Sequence, residues 1–286
     1  MLYSGNPASS HILKQHIQAV SSEQSNSNIT RKQATPLLFD NLGKQCRYLS
    51  YKVSLEKDPI SQFLFARDLP YFSLLCHSGN RGGDLGLLKA ENLFEIPDSK
   101  GINVSHQAGK TTIDNPKNYI ILPSLDEDIC PIKLVKDYKR MASKLDVDLN
   151  KGFIYRVRDN KSKQINNRAV SSSCMTDRLK THLMNINLYQ GETSHSSRRG
   201  CSITLRMLGV DDQPINQHVG WSSKGMIDHY VHVGKLMSPE GPANTLSSAA
   251  KHLGQGSSFN PCGHMMLVKV VSKTGHKLKD LYSWKT

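Results

Sequence analysis

The stretch HSSRRG sets His195 and Arg198 one helical turn apart, so an imidazole and a guanidinium can face one anion. Arg81 falls in GNRGGDLG, a joint between two predicted helices, where helix-end partial charges also favour anions. Two guanidiniums and an imidazole aimed at one phosphate meet the demand of phosphoryl transfer, in which charge spreads onto the non-bridging oxygens. Further along, GWSSKGMIDHYVH gathers Trp221, Tyr230 and two histidines into one short stretch. Tyr230 is then open to three readings: a packing residue, a neighbour of a histidine metal site, or the attacking nucleophile. Taken singly, arginines mostly sit on surfaces and tyrosines mostly pack. Their order and spacing shift the balance.

Other motifs lead away from cofactors. SHQAGKTT resembles the second half of a phosphate-binding loop, but Val104 stands where the motif needs its first glycine, and no helix-forming segment follows. GNRGGDLG lacks the spacing of a dinucleotide fingerprint. His229 and His232 can share a helical face, yet no third ligand is evident nearby, so no metal is expected. The six cysteines are scattered without a CxxC pair, which points to reduced, mostly buried thiols rather than disulfides or zinc. The reading therefore needs no cofactor.

The elements that must position these residues are mostly helical. Residues 1–33 are polar, with one amphipathic stretch, HILKQHIQAV, read as a loosely held helix before a linker. Helical patterning starts near RKQATPLLFD. In RDLPYFSLLCHSG a helix is expected to open on an Asp68 cap with Pro70 in its first turn and to stop at Gly79; a second helix carries Leu85, Leu87 and Leu88. The period then turns extended in NLFEI, INVSHQ and YIILP, a three-stranded antiparallel sheet with Lys110 near its second turn. Amphipathic helices follow around Ile132, Val135 and Tyr138, and around Met175, Leu179 and Leu183. Cys201, Leu205 and Leu208 share a helical face that ends at Gly209, Asp211 or Asp212 opens the next helix, and Ser222 or Ser223 caps a last one holding Tyr230. The fold class is mainly α with a small three-stranded antiparallel sheet.

The chain carries 37 Lys and Arg against 24 Asp and Glu, a net charge of +13 that favours a polyanionic partner such as nucleic acid or an anionic membrane surface. No apolar run approaches the roughly 20 residues needed to cross a bilayer, and the first residues lack the apolar core of a signal peptide. The protein is expected inside the cell, without a membrane partner.

The ordered set Arg81, Lys110, His195, Arg198, Trp221 and Tyr230 resembles the active-site signature of the tyrosine recombinases, the phage integrase family. The spacings from Arg198 to Trp221 and on to Tyr230 fall where the family puts them. LCHSGNRGGDLGLLKAENLF resembles the family's first block, with Asp84 in the acidic place, and HSSRRG through HVGKL resembles its second. The resemblance covers residues 34–235 as a catalytic domain, between the polar segment 1–33 and a basic tail, 236–286. HVGWSSKGMIDHY is similar to eukaryotic transposon-borne members of the Crypton and DIRS-like groups, which implies a nuclear site of action.

The resemblance implies further that Tyr230 attacks a DNA phosphodiester and that Arg81 and Arg198 clamp its oxygens. Trp221, where most members carry histidine, adds a hydrogen bond, Lys110 protonates the leaving oxygen, and His195 assists proton transfer. Lys117 lies in the same hairpin and is the alternative acid. The implied partner is double-stranded DNA, with self-association as a dimer or tetramer. The family's DNA-clamping amino-terminal domain has almost no room before residue 34, so a catalytic half, a truncated chain or a descendant that lost its clamp is expected. The alternative is a domesticated relative that holds DNA but is catalytically silent.

Overall fold

The computed structural model describes residues 10–26, 35–97, 101–106, 117–159 and 161–221. All of them fall within the first of two units, residues 1–241. Helices dominate: α1 (His11–Asn26), α2 (Phe39–Leu55), α3 (Pro59–Ser78), α4 (Gly82–Gly86), α5 (Pro131–Ser143), α6 (Ser172–Asn185), α7 (Ser194–Met207) and α8 (Asp212–Val219). Strands β1 (Leu93–Ile96), β2 (Gly101–His106) and β3 (Lys117–Ile121) form an antiparallel sheet in that order, and β4 (Arg156–Arg158) and β5 (Ile165–Ala169) form a separate hairpin. No helix among the described residues is long and apolar enough to cross a membrane.

The centre of the fold is α3. It is apolar around most of its circumference, as a helix surrounded by others must be, and it packs against α2, α5 and α7. Its start differs from the sequence expectation. The cap is Asp58, whose carboxylate accepts from the Ser61 N–H at 2.9 Å, with Pro59 at the first helical position. The helix runs on through Pro70, which has no N–H to give the Ala66 carbonyl. Asp68 caps nothing: it is fully buried, bonded to Arg67 at 2.8 Å, to His182 at 2.8 Å and to Arg178. Burial alone would raise its pKa, but the two guanidiniums and the histidine hold the carboxyl well below the usual carboxylate range.

The sheet follows the expected strands. Ile102 pairs with Ile121, and Val104 with both Leu93 and Tyr119, so Leu93, Ile102, Val104 and Tyr119 turn inward and are buried. The β4–β5 hairpin was not expected from the sequence.

Helix α7 also departs from its expected face. Its buried residues are Ser196, Ser197, Arg198, Gly200, Cys201, Ser202 and Ile203, while Leu208 is exposed. Small residues are needed there because the chain before α2 crosses in close contact. The Leu37 N–H donates to the Ser196 carbonyl at 3.0 Å, and a Cβ on Gly200 would stand 1.8 Å from the Leu37 oxygen. Of the five cysteines among the described residues, all are free thiols and four are buried. Burial pushes Cys76 and Cys201 up to about 12, so neither is nucleophilic at neutral pH.

Candidate active site

Arg81 is the residue before α4, in extended conformation, immediately after the end of α3. α3 ends there because Gly79 takes a left-handed conformation (φ 59°). A Cβ at Gly79 would meet Cys201 Sγ and Val219 Cγ2 at 3.2 Å each, so this turn is pressed against both α7 and α8. The Arg81 side chain is one-third exposed (33%), and Nη1 lies 3.9 Å from the Asp84 carboxylate.

His195 and Arg198 come from the first turns of α7. Thr193 opens that helix with a capping box: its hydroxyl takes the His195 N–H at 3.2 Å, and Ser196 Oγ accepts the Thr193 N–H at 2.9 Å. His195 therefore stands at the positive end of the helix with its side chain at the surface. Arg198, one turn on, is buried. Its Nη1 donates to the Gly79 carbonyl at 2.9 Å and its Nη2 to the Gly220 carbonyl at 3.3 Å. Those two carbonyls close α3 and α8, so the guanidinium sits at the negative ends of two helices at once.

Trp221 follows the left-handed Gly220 (φ 75°), its N–H held by the Asn216 carbonyl at 3.1 Å. The Arg198 guanidinium carbon is 5.6 Å from the centroid of its ring, a cation–π distance. The structure thus brings Arg81, His195, Arg198 and Trp221 together from three segments remote in sequence. Tyr230 and Lys110 lie outside the described residues. Lys117 opens β3, paired with His106.

The electrostatics of the four are those of a site short of negative charge. Burial and the nearby Arg81 push Arg198 down to about 10, still fully protonated at neutral pH. Partial burial, then Arg198 and Arg81, hold His195 below its ordinary value, so it is neutral at pH 7. Two guanidiniums close enough to repel, offset by Asp84 and two helix C-termini, can accept an anion at low cost. Because His195 is neutral, it can also take up a proton.

Three further residues frame the site and carry no signal of their own in the sequence. Tyr119 Oη lies 2.9 Å from Asn80 Oδ1 and 3.2 Å from the His218 carbonyl. His218 Nε2 donates to the His77 carbonyl at 2.8 Å, and since a carbonyl only accepts, this fixes a proton on Nε2. Adjacency of Asn80 to Arg81, and of His218 to the Gly220–Trp221 pair, was the only available hint.

No protein-family model matches the chain, and no curated protein matches it. Solved structures do. XerH site-specific recombinase bound to palindromic difH substrate, a post-cleavage complex, aligns with TM-score 0.53 at 15% identity, covering 78% of this chain and 54% of that one. The pre-cleavage complex of XerH with difH substrate aligns with TM-score 0.50 at 16% identity over 72% of this chain and 53% of that one. The fold is that of a tyrosine recombinase catalytic domain. At such identities the likeness is one of fold, and this chain spans about half the length of the two recombinase chains.

Proposed function

We propose that this chain cuts and rejoins double-stranded DNA as a tyrosine-type strand transferase, a site-specific recombinase or integrase. Tyr230 attacks a phosphodiester, forms a 3′-phosphotyrosyl bond and expels a 5′ hydroxyl; attack by another 5′ hydroxyl reverses the step and rejoins the strands. Arg81 and Arg198 hold the non-bridging oxygens, and the Trp221 indole N–H donates to one of them. Lys110 protonates the leaving 5′ oxygen, while neutral His195 assists proton transfer. No metal or nucleotide enters, because the phosphotyrosyl bond conserves the energy of the bond it replaces. Residues 34–235 act as the catalytic unit, and copies associate on DNA as dimers or tetramers. The similarity of HVGWSSKGMIDHY to eukaryotic transposon-borne members supports an origin in such an element, with the nucleus as the site of action in a eukaryotic host.

What supports this reading is the convergence of Arg81, Arg198, His195 and Trp221 on one anion-seeking spot. A surface needing only non-specific DNA affinity would not bury Arg198 or set its guanidinium against two helix ends. The test is incubation of purified protein with duplex DNA nicked beside the target phosphate, followed by denaturing electrophoresis. A protein–DNA band that survives denaturation is expected. Tight, salt-sensitive DNA binding with no such band would leave the silent relative as the better account.

A further inference from the structure

We infer that Tyr119 is a positioning residue of the strand-transfer site, its hydroxyl tying the Arg81 joint to the helix end that carries Trp221. The inference rests on the function proposed above and adds to it a residue that touches no DNA.

The segment His77–Arg81 and the segment His218–Trp221 are joined by three struts. The His218 ring reaches the His77 carbonyl at 2.8 Å. Arg198 bridges the Gly79 and Gly220 carbonyls at 2.9 and 3.3 Å. Tyr119, arriving from β3, stands between Asn80 at 2.9 Å and the His218 carbonyl at 3.2 Å. Arg198 has its own task at the phosphate and the His218 strut lies further back, so Tyr119 is the strut placed next to Arg81 without belonging to the anion site.

The chemistry of the strut fixes its direction. With Asn80 Oδ1 toward Tyr119, one hydroxyl proton faces two acceptors and can serve one, while Asn80 Nδ2 is buried with no hydrogen-bond partner. Turning the amide end for end leaves Oδ1 rather than Nδ2 at the partnerless position, but gives two bonds in place of one: Nδ2 donates to Tyr119 Oη, and Oη donates to the His218 carbonyl. Asn and Gln amides are assigned from such networks, and here the network favours the turned form. The result is a directed chain, Asn80 to Tyr119 to the His218 backbone, whose ends lie one residue before Arg81 and three before Trp221. The Tyr119 ring also meets the His218 ring edge-on, with centroids 5.5 Å apart, which keeps the hydroxyl in line. Because β3 opens at Lys117, two residues from Tyr119, the same strut anchors the strand that leaves the lysine hairpin.

The test compares Tyr119→Phe with Tyr138→Phe. Both keep a buried ring and delete one hydroxyl; that of Tyr138 donates to the Ile154 carbonyl at 3.0 Å, between α5 and the chain before β4, and serves no site residue. Single-turnover cleavage of nicked duplex at saturating protein, DNA affinity and thermal unfolding are measured for each. Tyr119→Phe is expected to cleave roughly tenfold more slowly with affinity unchanged, the size of one hydrogen bond's net worth. Tyr138→Phe is expected to lose similar stability and keep the parental rate. In a Trp221→Phe background the Tyr119→Phe effect should shrink, because both act on the same phosphate contact. A parental rate in Tyr119→Phe, or equal slowing in Tyr138→Phe, overturns the positioning role while strand transfer stands. If the parent itself forms no covalent adduct, the proposed function fails, and this inference with it.

Discussion

Asp68→Asn changes little in size and removes one negative charge from a site with no exposure at all. In the parent this carboxylate faces Arg67, which is 2% exposed, together with Arg178 and His182. The variant leaves Arg67 charged, buried and without its counter-ion, and sets an amide N–H₂ against donors. Arg178 has 23% side-chain exposure and can turn toward water, so the cost falls mainly on Arg67. Removing one partner of a buried pair costs about 3–5 kcal/mol, a large share of the ~5–15 kcal/mol that holds a domain folded. The assay is urea unfolding of parent and variant, followed by circular dichroism across pH. Because the folded carboxyl is held below its unfolded value, its contribution is complete above that value, about 3.9, and fades as pH falls toward the folded one. The gap between parent and variant should thus shrink below about pH 4. A loss under about 1 kcal/mol at pH 7, or a gap as wide at pH 3 as at pH 7, would refute this view of the network.

At Trp221 the donor and packing roles order two variants oppositely. Trp221→His keeps an N–H and should cleave faster than Trp221→Phe, which should lose on the order of 10² in rate, or about 2.7 kcal/mol; parental cleavage by Trp221→Phe at equal thermal stability would end the donor role. Lys110→Ala should slow cleavage of an ordinary phosphodiester and recover with a 5′-bridging phosphorothiolate, whose sulfur leaves with little protonation. Recovery in Lys117→Ala but not in Lys110→Ala would move the general acid to Lys117.

The helical body and the sheet were legible because their signals are local. NLFEI, INVSHQ and YIILP are short extended runs separated by turn-rich PDSKG and AGKTTIDNPKN, and the structure pairs them as one sheet. The start of α3 was misread because Asp68 followed by Pro70 looks like a helix opening, whereas a proline inside a helix is tolerated once neighbouring helices hold it on every side. Nothing in the residue types told a capping aspartate from one paired with Arg178 and His182 more than a hundred positions away. The β4–β5 hairpin was missed because β4 is three residues long, with one apolar residue between two arginines. At the candidate site, order and spacing marked Arg81, His195, Arg198 and Trp221 in the sequence. They could not suggest that Arg198 spends two of its five N–H donors on the carbonyls of Gly79 and Gly220, or that Tyr119 ties Asn80 to His218. Those bonds join α3, α7, α8 and the sheet, and such meetings leave no mark on any one stretch of chain.

The account turns on Tyr230 as the atom that takes up DNA. Protein trapped on nicked duplex can be digested with protease and nuclease, and the peptide carrying the residual nucleotide sequenced by mass spectrometry. The modified residue should be Tyr230, joined to a 3′ phosphate, and Tyr230→Phe should bind DNA as the parent does while yielding no adduct. An adduct on any other residue, or one that persists in Tyr230→Phe, would contradict it.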